Sequence, residues 1–590
     1  MKTKPRNRRE LLRHAGFTIG GVALKPRLFA ETSPARPDAV PPASNSESIN
    51  SLTGTVLPDA GASSSRRAAG LRKIRGLMVD AGRVPETLEY YRRVIGFCAE
   101  WELNTLHLRL ADDQGSALRF SSVPDLLVHR NAFAPEQLKS MAEYARTCGV
   151  DLIPELESFG HTGYITRSPA YAHLLDRDVQ GISEFTGVIP VSPETLQLFK
   201  KLYGEIAAIF PSAYLHGGCD EVNWGGSERS RKALQTMTRA QIWAEYLNSL
   251  SEIAAGLGRQ FIVWSDVVVH KEPEILPRLN KNILIMDWDY RERNSAPLRE
   301  TIRKVAAHGL RTIGAPALVN YRWGPRVGTE QLRNIGAYVD ACLDEGAPNS
   351  AGVILTNWVP CRYVQNSIWD GFSYAAVAFK EGAASAESSA FRRFVERHYG
   401  AKWNELWSEV FRTIYEAAPS VQEESTTSGV ALPLRVPWST DAQLAATLQM
   451  GDPIRNPFTR VRSLLVQLQP TVLKNIADFQ AFALCVDALQ SLYAREAAVF
   501  ELTSKKPLDR KTTDQVIRDI ALQDRALANA LVRDWDRGRF PDSPAKSEDV
   551  FDLEPKDQLL LQWVRAANYS ASLASHPDRF HQLIEAARRA

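Results

Sequence analysis

Asn104-Thr105-Leu106-His107-Leu108-Arg109-Leu110-Ala111-Asp112-Asp113-Gln114-Gly115 is a short apolar, β-rich run that ends in two carboxylates and a glycine. The run reads as a strand over Thr105–Asp112 whose polar residues collect at its C-terminal end. The same design recurs along the chain. Strands are expected over Ile74–Asp80, Asp151–Ser158, Ala213–Glu221, Gln260–Asp266, Asn282–Tyr290, Arg311–Val319 and Gly352–Val359, which makes eight with the first. Helical periodicity separates them, as in Pro85–Trp101, Pro135–Cys148, Glu194–Ile209, Arg239–Leu257 and Thr329–Leu343. Alternating strands and helices imply a parallel sheet, and eight such units fit a closed (β/α)₈ TIM barrel. A doubly wound open sheet is the rival, but no glycine-rich phosphate fingerprint follows the first strand.

The tips of the strands carry Asp80, Asp112 with Asp113, Glu157, Asp220 with Glu221, Asp266, Asp287 with Asp289, and Trp358. Active sites of this fold lie on that face, so the α/β barrel is assigned to residues 71–385. Beyond it strand signals fade. Long amphipathic patterns such as Thr459–Val486 and Lys511–Asp534 predict a mainly α-helical C-terminal domain over 386–590, with a loop over Glu416–Thr440.

The N-terminus is a separate problem. Residues 1–30 hold eight Lys/Arg and one acid, so the remaining chain has 63 basic and 67 acidic residues and a net charge of −4. A weakly acidic body gives no electrostatic basis for nucleic acid binding. Arg8-Arg9-Glu10-Leu11-Leu12-Arg13 followed by a mildly apolar run to Leu24 reads as a signal peptide of the twin-arginine type over 1–30. That predicts export to the periplasm or the extracellular space, without an integral membrane span, since the apolar run is too short to cross a bilayer. Residues 31–70, rich in Pro, Ser and Ala, read as a disordered linker. The six cysteines are scattered without a CxxC pair, so neither a disulfide framework nor a zinc ribbon is expected.

The chemistry concentrates in Leu215-His216-Gly217-Gly218-Cys219-Asp220-Glu221-Val222. Neighbouring side chains of a regular strand point to opposite faces, so both carboxylates can serve one substrate only where the strand is ending. Glycoside cleavage needs a proton donor at the leaving oxygen and stabilisation of positive charge at the anomeric carbon, and a paired Asp-Glu can supply both. His107, Asp112, His161 and His216 could together suggest a metal, but no HxH or HExxH spacing is present and no metal or other cofactor is expected.

The segment resembles the catalytic strand of family 20 glycoside hydrolases, the β-N-acetylhexosaminidases, which read His-x-Gly-x-Asp-Glu. The resemblance runs in order through Arg75-Gly76-Leu77-Met78-Val79-Asp80, the Asn104–Gly115 stretch, Ile153-Pro154-Glu155-Leu156-Glu157-Ser158-Phe159-Gly160-His161, and Trp264-Ser265-Asp266. Cys219 and Leu355-Thr356-Asn357-Trp358 look closest to the hexosaminidase D branch. The resemblance implies an exo-acting enzyme on terminal N-acetylhexosamine β-glycosides, with a carbohydrate as the partner. Glu221 would be the acid and base, and Asp220 would orient the substrate's own 2-acetamido group as nucleophile. Arg75 would bind ring hydroxyls; Asp112, His161 and His216 would fix the surrounding shell; Trp264, Trp288 and Trp358 would wall the sugar; Asp266 would bind a hydroxyl. Tyr321 would hold the acetamido oxygen, with Asn320 or Tyr290 as equal alternatives. Pro360 stands where the family's main branch has an acid, and Phe159 replaces its proline. A glycosidase of the same barrel acting on another β-glycoside, and a non-catalytic carbohydrate-binding barrel, are the competing readings.

Overall fold

Eight parallel strands close on themselves: β1 (Ile74–Asp80), β2 (Thr105–Arg109), β3 (Asp151–Glu155), β4 (Tyr214–His216), β5 (Gln260–Trp264), β6 (Leu284–Asp287), β7 (Arg311–Gly314) and β8 (Ser350–Asn357). Each pairs with the next, and β8 returns to β1 through Ile74↔Gly352 to Leu77↔Leu355. The computed structural model describes residues 73–177, 187–319, 326–343, 348–417, 436–449, 456–504, 508–548, 550–551, 553 and 558–589. The signal and linker assigned to residues 1–70, Tyr321 with Asn320, and most of the Glu416–Thr440 loop lie outside these residues.

The expected barrel is therefore present, with strands shorter at their C-terminal ends than their apolar runs suggested. β4 stops at His216 and β2 at Arg109, because the carboxylate tips that follow curl out of the ladder. β2 and β8 are buried at every position, as both faces of a barrel strand must be. Helices α1 (Leu88–Glu100), α2 (Pro135–Thr147), α3 (Pro193–Ile209), α4 (Arg239–Gly256), α5 (Ser295–Ala306), α6 (Thr329–Cys342) and α7 (Trp369–Glu381) form the outer ring. Their starts are written locally. Thr87 accepts from the Tyr90 amide at α1, Thr238 and Gln241 make a reciprocal cap at α4, and Pro135 and Pro193 open α2 and α3. The unit after β5 departs from the pattern. A π turn, Asp266–Lys271, and a 3₁₀ stretch, Pro273–Arg278, stand in place of a helix.

Among the described residues eight further helices follow: α8 (Ala383–Phe394), α9 (Glu405–Ala417), α10 (Asp441–Gln449), α11 (Phe458–Leu468), α12 (Ile476–Ser504), α13 (Arg510–Gly538), α14 (Leu559–Ser575) and α15 (Pro577–Arg589). The single helical pattern read over Thr459–Val486 is two helices, split by a 3₁₀ turn at Gln469–Thr471, where Pro470 cannot continue the ladder. The core is continuous from Ile74 in the barrel to Ala567 on α14, while Trp438, Val499, Ile517, Leu573 and Phe580 form a second apolar cluster farther along the helices. Polar contacts among the described residues tie the helical region to the barrel mouth. Arg539, the cap of α13, is buried with Nε 2.9 Å from Glu86 Oε1 and donates to the carbonyls of Pro360 and Tyr363. Asn131 Nδ2 donates to Asp542 Oδ1 at 2.9 Å, and Gln114 Nε2 donates to the Phe551 carbonyl at 3.0 Å.

Candidate active site

The interior of the barrel just below its C-terminal mouth is charged and buried. Arg109 on β2, wholly buried, places Nη2 2.6 Å from Asp112 Oδ2 and Nη1 2.7 Å from Glu155 and 2.6 Å from Glu157. Trp264 Nε1 donates to Glu155 at 2.9 Å, His107 Nε2 lies 2.8 Å from the same carboxylate, and the His107 and His216 rings stack at 4.9 Å. Burial opposes the charge on Glu155, yet Arg109 and the two imidazoles overcome it and hold the carboxyl below its usual range. His216 accepts from the Gly218 amide at Nδ1, and burial drives its pKa down to about 3. His216 is thus a neutral support under the site, fully buried, rather than part of a sugar-facing shell.

Above this layer the chain after β4 turns sharply. Gly218, Cys219 and Glu221 all adopt positive φ, at 65°, 71° and 46°. That left-handed turn frees Asp220 and Glu221 from strand alternation, so both reach the mouth. Glu157 Oε2 accepts the Cys219 amide at 3.0 Å, and a Cβ on Gly218 would lie 2.0 Å from that oxygen. Burial, reinforced by the charge on Asp220, pushes the Glu157 carboxyl well above its ordinary value.

Glu221, its side chain 37% exposed, has Oε2 3.3 Å from His161 Nε2, and its amide donates to Asp266 Oδ2 at 3.0 Å. Asp220 is buried beside it, 3.9 Å from the same imidazole nitrogen. Its Oδ1 has no hydrogen-bond partner among the described residues. His161 Nδ1 lies 3.2 Å from both Asp112 Oδ1 and Asp113 Oδ2. Burial alone would discharge the ring, but Asp112 and Asp220 outweigh it and hold the imidazolium well above the usual histidine range. For Glu221 burial works upward, while the hydrogen bond and charge of His161 work downward and prevail. Burial, with the charge on Asp220, raises Asp266 to about 6 against the pull of Lys271, whose Nζ is 3.0 Å away. The close approach of the two loops depends on Gly160, where a Cβ would sit 2.1 Å from the Asp220 carbonyl oxygen.

An aromatic wall completes the mouth. Trp358 packs 5.8 Å from Trp264 and donates through Nε1 to the Tyr290 hydroxyl at 2.9 Å; Trp288, half-buried, stacks on Tyr290 at 5.1 Å. The guanidinium of Arg83 lies 5.3 Å over Trp358 and pairs with Asp80 at 2.9 Å and Asp112 at 3.3 Å.

The structure thus gathers Asp112, His161, Asp220, Glu221, Trp264, Asp266, Trp288 and Trp358. It separates Arg75 from them. Arg75 is the second residue of β1, so it lies at the opposite end of the barrel, with Nη2 3.5 Å from the Glu102 carbonyl in the turn before β2. Arg83, three residues past the tip of the same strand, occupies the mouth instead. The rule that function sits at C-terminal strand ends already disfavoured Arg75. Pro360, in the position of the expected acid, opens a short 3₁₀ turn whose carbonyl is taken by Arg539.

A closed parallel barrel with an Asp-Glu pair at its C-terminal mouth puts two carboxylates on the face where barrel enzymes hold their active sites, the residue types that glycoside cleavage uses. Residues 73–338 match the model described as "Glycosyl hydrolase family 20, catalytic domain". The chain is 25% identical over 252 residues to a β-hexosaminidase of Vibrio furnissii, covering 37% of this chain and 40% of that protein. It is 25% identical over 327 residues to the mouse β-hexosaminidase subunit alpha, covering 50% of this chain and 60% of that one. The chain therefore spans about half the length of these relatives. The crystal structure of a Flavobacterium johnsoniae chitobiase superposes with a TM-score of 0.45 at 16% identity, over 76% of this chain and 74% of that one.

Proposed function

We propose that the chain is an exo-acting β-N-acetylhexosaminidase that works by substrate-assisted retention. The observation that carries this is the Asp220–Glu221 turn, which sets a buried carboxylate with one open oxygen beside a more exposed carboxyl held by a protonated histidine. Asp220 would accept the acetamido N–H and align the carbonyl oxygen on the anomeric carbon. Glu221 would give its proton to the glycosidic oxygen as that bond breaks, leaving an oxazolinium ring whose charge Asp220 offsets. Glu221 would then take a proton from the water that opens the ring, so no separate enzyme nucleophile is needed. The resting Glu221 is held below the usual carboxyl range, but a proton is stored 3.3 Å away on His161. A bound sugar covers Glu221, and that burial draws the proton across. Trp264, Tyr290 and Trp358 would flank the acetamido side. Arg83, Asp266 through its open Oδ1, and Trp288 would meet the hydroxyls and the outer face. Export by the twin-arginine route is supported by the basic, paired-arginine start of the chain, and fractionation of cells making the full chain checks it.

The test is hydrolysis of aryl β-N-acetylglucosaminide and β-N-acetylgalactosaminide by the parent and by Glu221→Gln. Release by the parent and a loss of about 10²–10⁴-fold in the variant, the usual contribution of a general acid, is the expected result. Equal turnover of a plain β-glucoside would refute the role of the acetamido group. Sugar binding without hydrolysis in either form would make the barrel a binding module.

A further inference from the structure

We infer that Phe551 and Gln114 form a subsite for the leaving sugar, built jointly by the helical region and the barrel. The inference rests on the reaction proposed above and names its substrate class: an N-acetylhexosamine joined to a second, neutral pyranose, rather than to a small aglycone. Phe551 is a large apolar side chain, 43% exposed, between α13 and α14. An exposed phenyl ring usually swings freely, but this one is held. The Arg167 guanidinium caps one face at 3.7 Å from the ring centre, and the Phe551 carbonyl accepts from Gln114 Nε2 at 3.0 Å.

Gln114 supplies the second, independent observation. Its side chain is buried, with the residue 7% exposed, and its Oε1 has no hydrogen-bond partner among the described residues. A buried acceptor left unmade is costly, so the atom is suited to receive a hydroxyl from a ligand. An exposed ring face on one residue, and an unpaired acceptor on the side chain that holds that residue's carbonyl, are the chemistry that a pyranose satisfies, with its axial C–H face on the ring and a hydroxyl on the amide.

Position identifies which sugar. Arg167 Nη1 donates to the Asp113 carbonyl at 2.7 Å, Asp113 Oδ2 holds His161 at 3.2 Å, and His161 holds Glu221 at 3.3 Å. The platform therefore joins the site through the clamp on the acid, where the leaving oxygen is protonated. Gln114 is the residue next to Asp113, so the amide and the clamp share one turn.

The experiment compares kcat/KM on a β-linked N-acetylhexosamine disaccharide with that on the matching glycosyl fluoride, which has no ring to place on Phe551. In Phe551→Ala the disaccharide should lose about tenfold, equivalent to ~1.4 kcal/mol, while the fluoride stays within about twofold and Phe551→Tyr restores the disaccharide. Gln114→Met should give the same selective loss. Unchanged disaccharide turnover in Phe551→Ala overturns the subsite. An equal loss on both substrates also overturns it, since that reports a structural role. If the parent cleaves neither substrate, the proposed reaction fails, and the subsite with it.

Discussion

If His161 stores the proton that Glu221 delivers, removing the imidazole should change the pH dependence of turnover and not merely its size. The variant is His161→Gln, which keeps a polar group near Asp112 and Asp113. Asp112 keeps Arg83 and Arg109, so the clamp loses one of its three cations. At 3.3 Å the imidazolium and the Glu221 carboxylate attract by about 5 kcal/mol at an effective dielectric of ~20. Glu221 is more than a third exposed, so solvent reduces this to about 1–2 kcal/mol, roughly one pH unit. In the parent the pair loses its last proton from His161, whose pKa lies above its ordinary value, so the alkaline limb of kcat/KM falls above pH ~6.5. Without the ring only the Glu221 carboxyl can hold that proton. The limb should move to lower pH, toward the ordinary carboxyl range, with burial still pushing the carboxyl upward. The loss should be about 10–100-fold at pH 7 and shrink toward pH 5, measured on an aryl N-acetylhexosaminide across the pH range. A loss that is the same at every pH would refute proton storage and make His161 a structural clamp only.

The other predictions follow from single contacts. Arg83→Lys should cost about 10–100-fold in kcat/KM, as for a lost hydrogen bond to a charged group, whereas Arg75→Lys at the far end of the barrel should stay within about twofold. Gly160→Ala must push the His161 loop off the Asp220 carbonyl, since its Cβ would lie 2.1 Å from that oxygen. A fall in kcat larger than the change in thermal midpoint is the expected sign. Arg539→Met leaves Glu86 buried without its cation and should lower stability by about 3–5 kcal/mol, with partial recovery in the double variant that adds Glu86→Gln. His216, with its folded pKa depressed to about 3, contributes stability that is full above the unfolded value of ~6.5 and is lost as pH falls from there toward 3. Thermal midpoints of His216→Asn against the parent should therefore converge as the solution is acidified.

The barrel was legible because each strand is a short apolar run between turn signals, and the helical spacing between runs is regular. Where periodicity was the only guide, seven of the eight C-terminal strand bounds overran the ladder. The run from Ala213 to Glu221 is β-like throughout, yet pairing ends at His216 because three of the next five residues need positive φ. The π turn after β5 was illegible for a similar reason. Asp266-Val267-Val268-Val269-His270-Lys271 carries no helix signal, and what fixes it is tertiary: Asp266 bonds to the Glu221 amide and Lys271 returns to Asp266.

The site divides along the same line. Asp112, Asp220, Glu221, Asp266 and Trp358, named from the strand tips, and His161 and Trp264, named from the resemblance, lie together at the mouth. Other residues gain their place only from the folded chain. Arg83 follows a strand tip by three residues and returns over Trp358, while Arg75 sits inside the strand and cannot leave its end of the barrel. Arg109 and Glu157 read as ordinary strand residues, yet they make the charged layer on which the catalytic turn rests. The same limit hid the part played by the helical region. Arg539 lies 453 residues from Glu86 and Phe551 lies 437 from Gln114 along the chain, so no local pattern could join them. Both contacts bring a residue of the helical region to the loops that follow the barrel strands, and the shared core packs that region against the barrel, so the mouth is shaped by the intact chain.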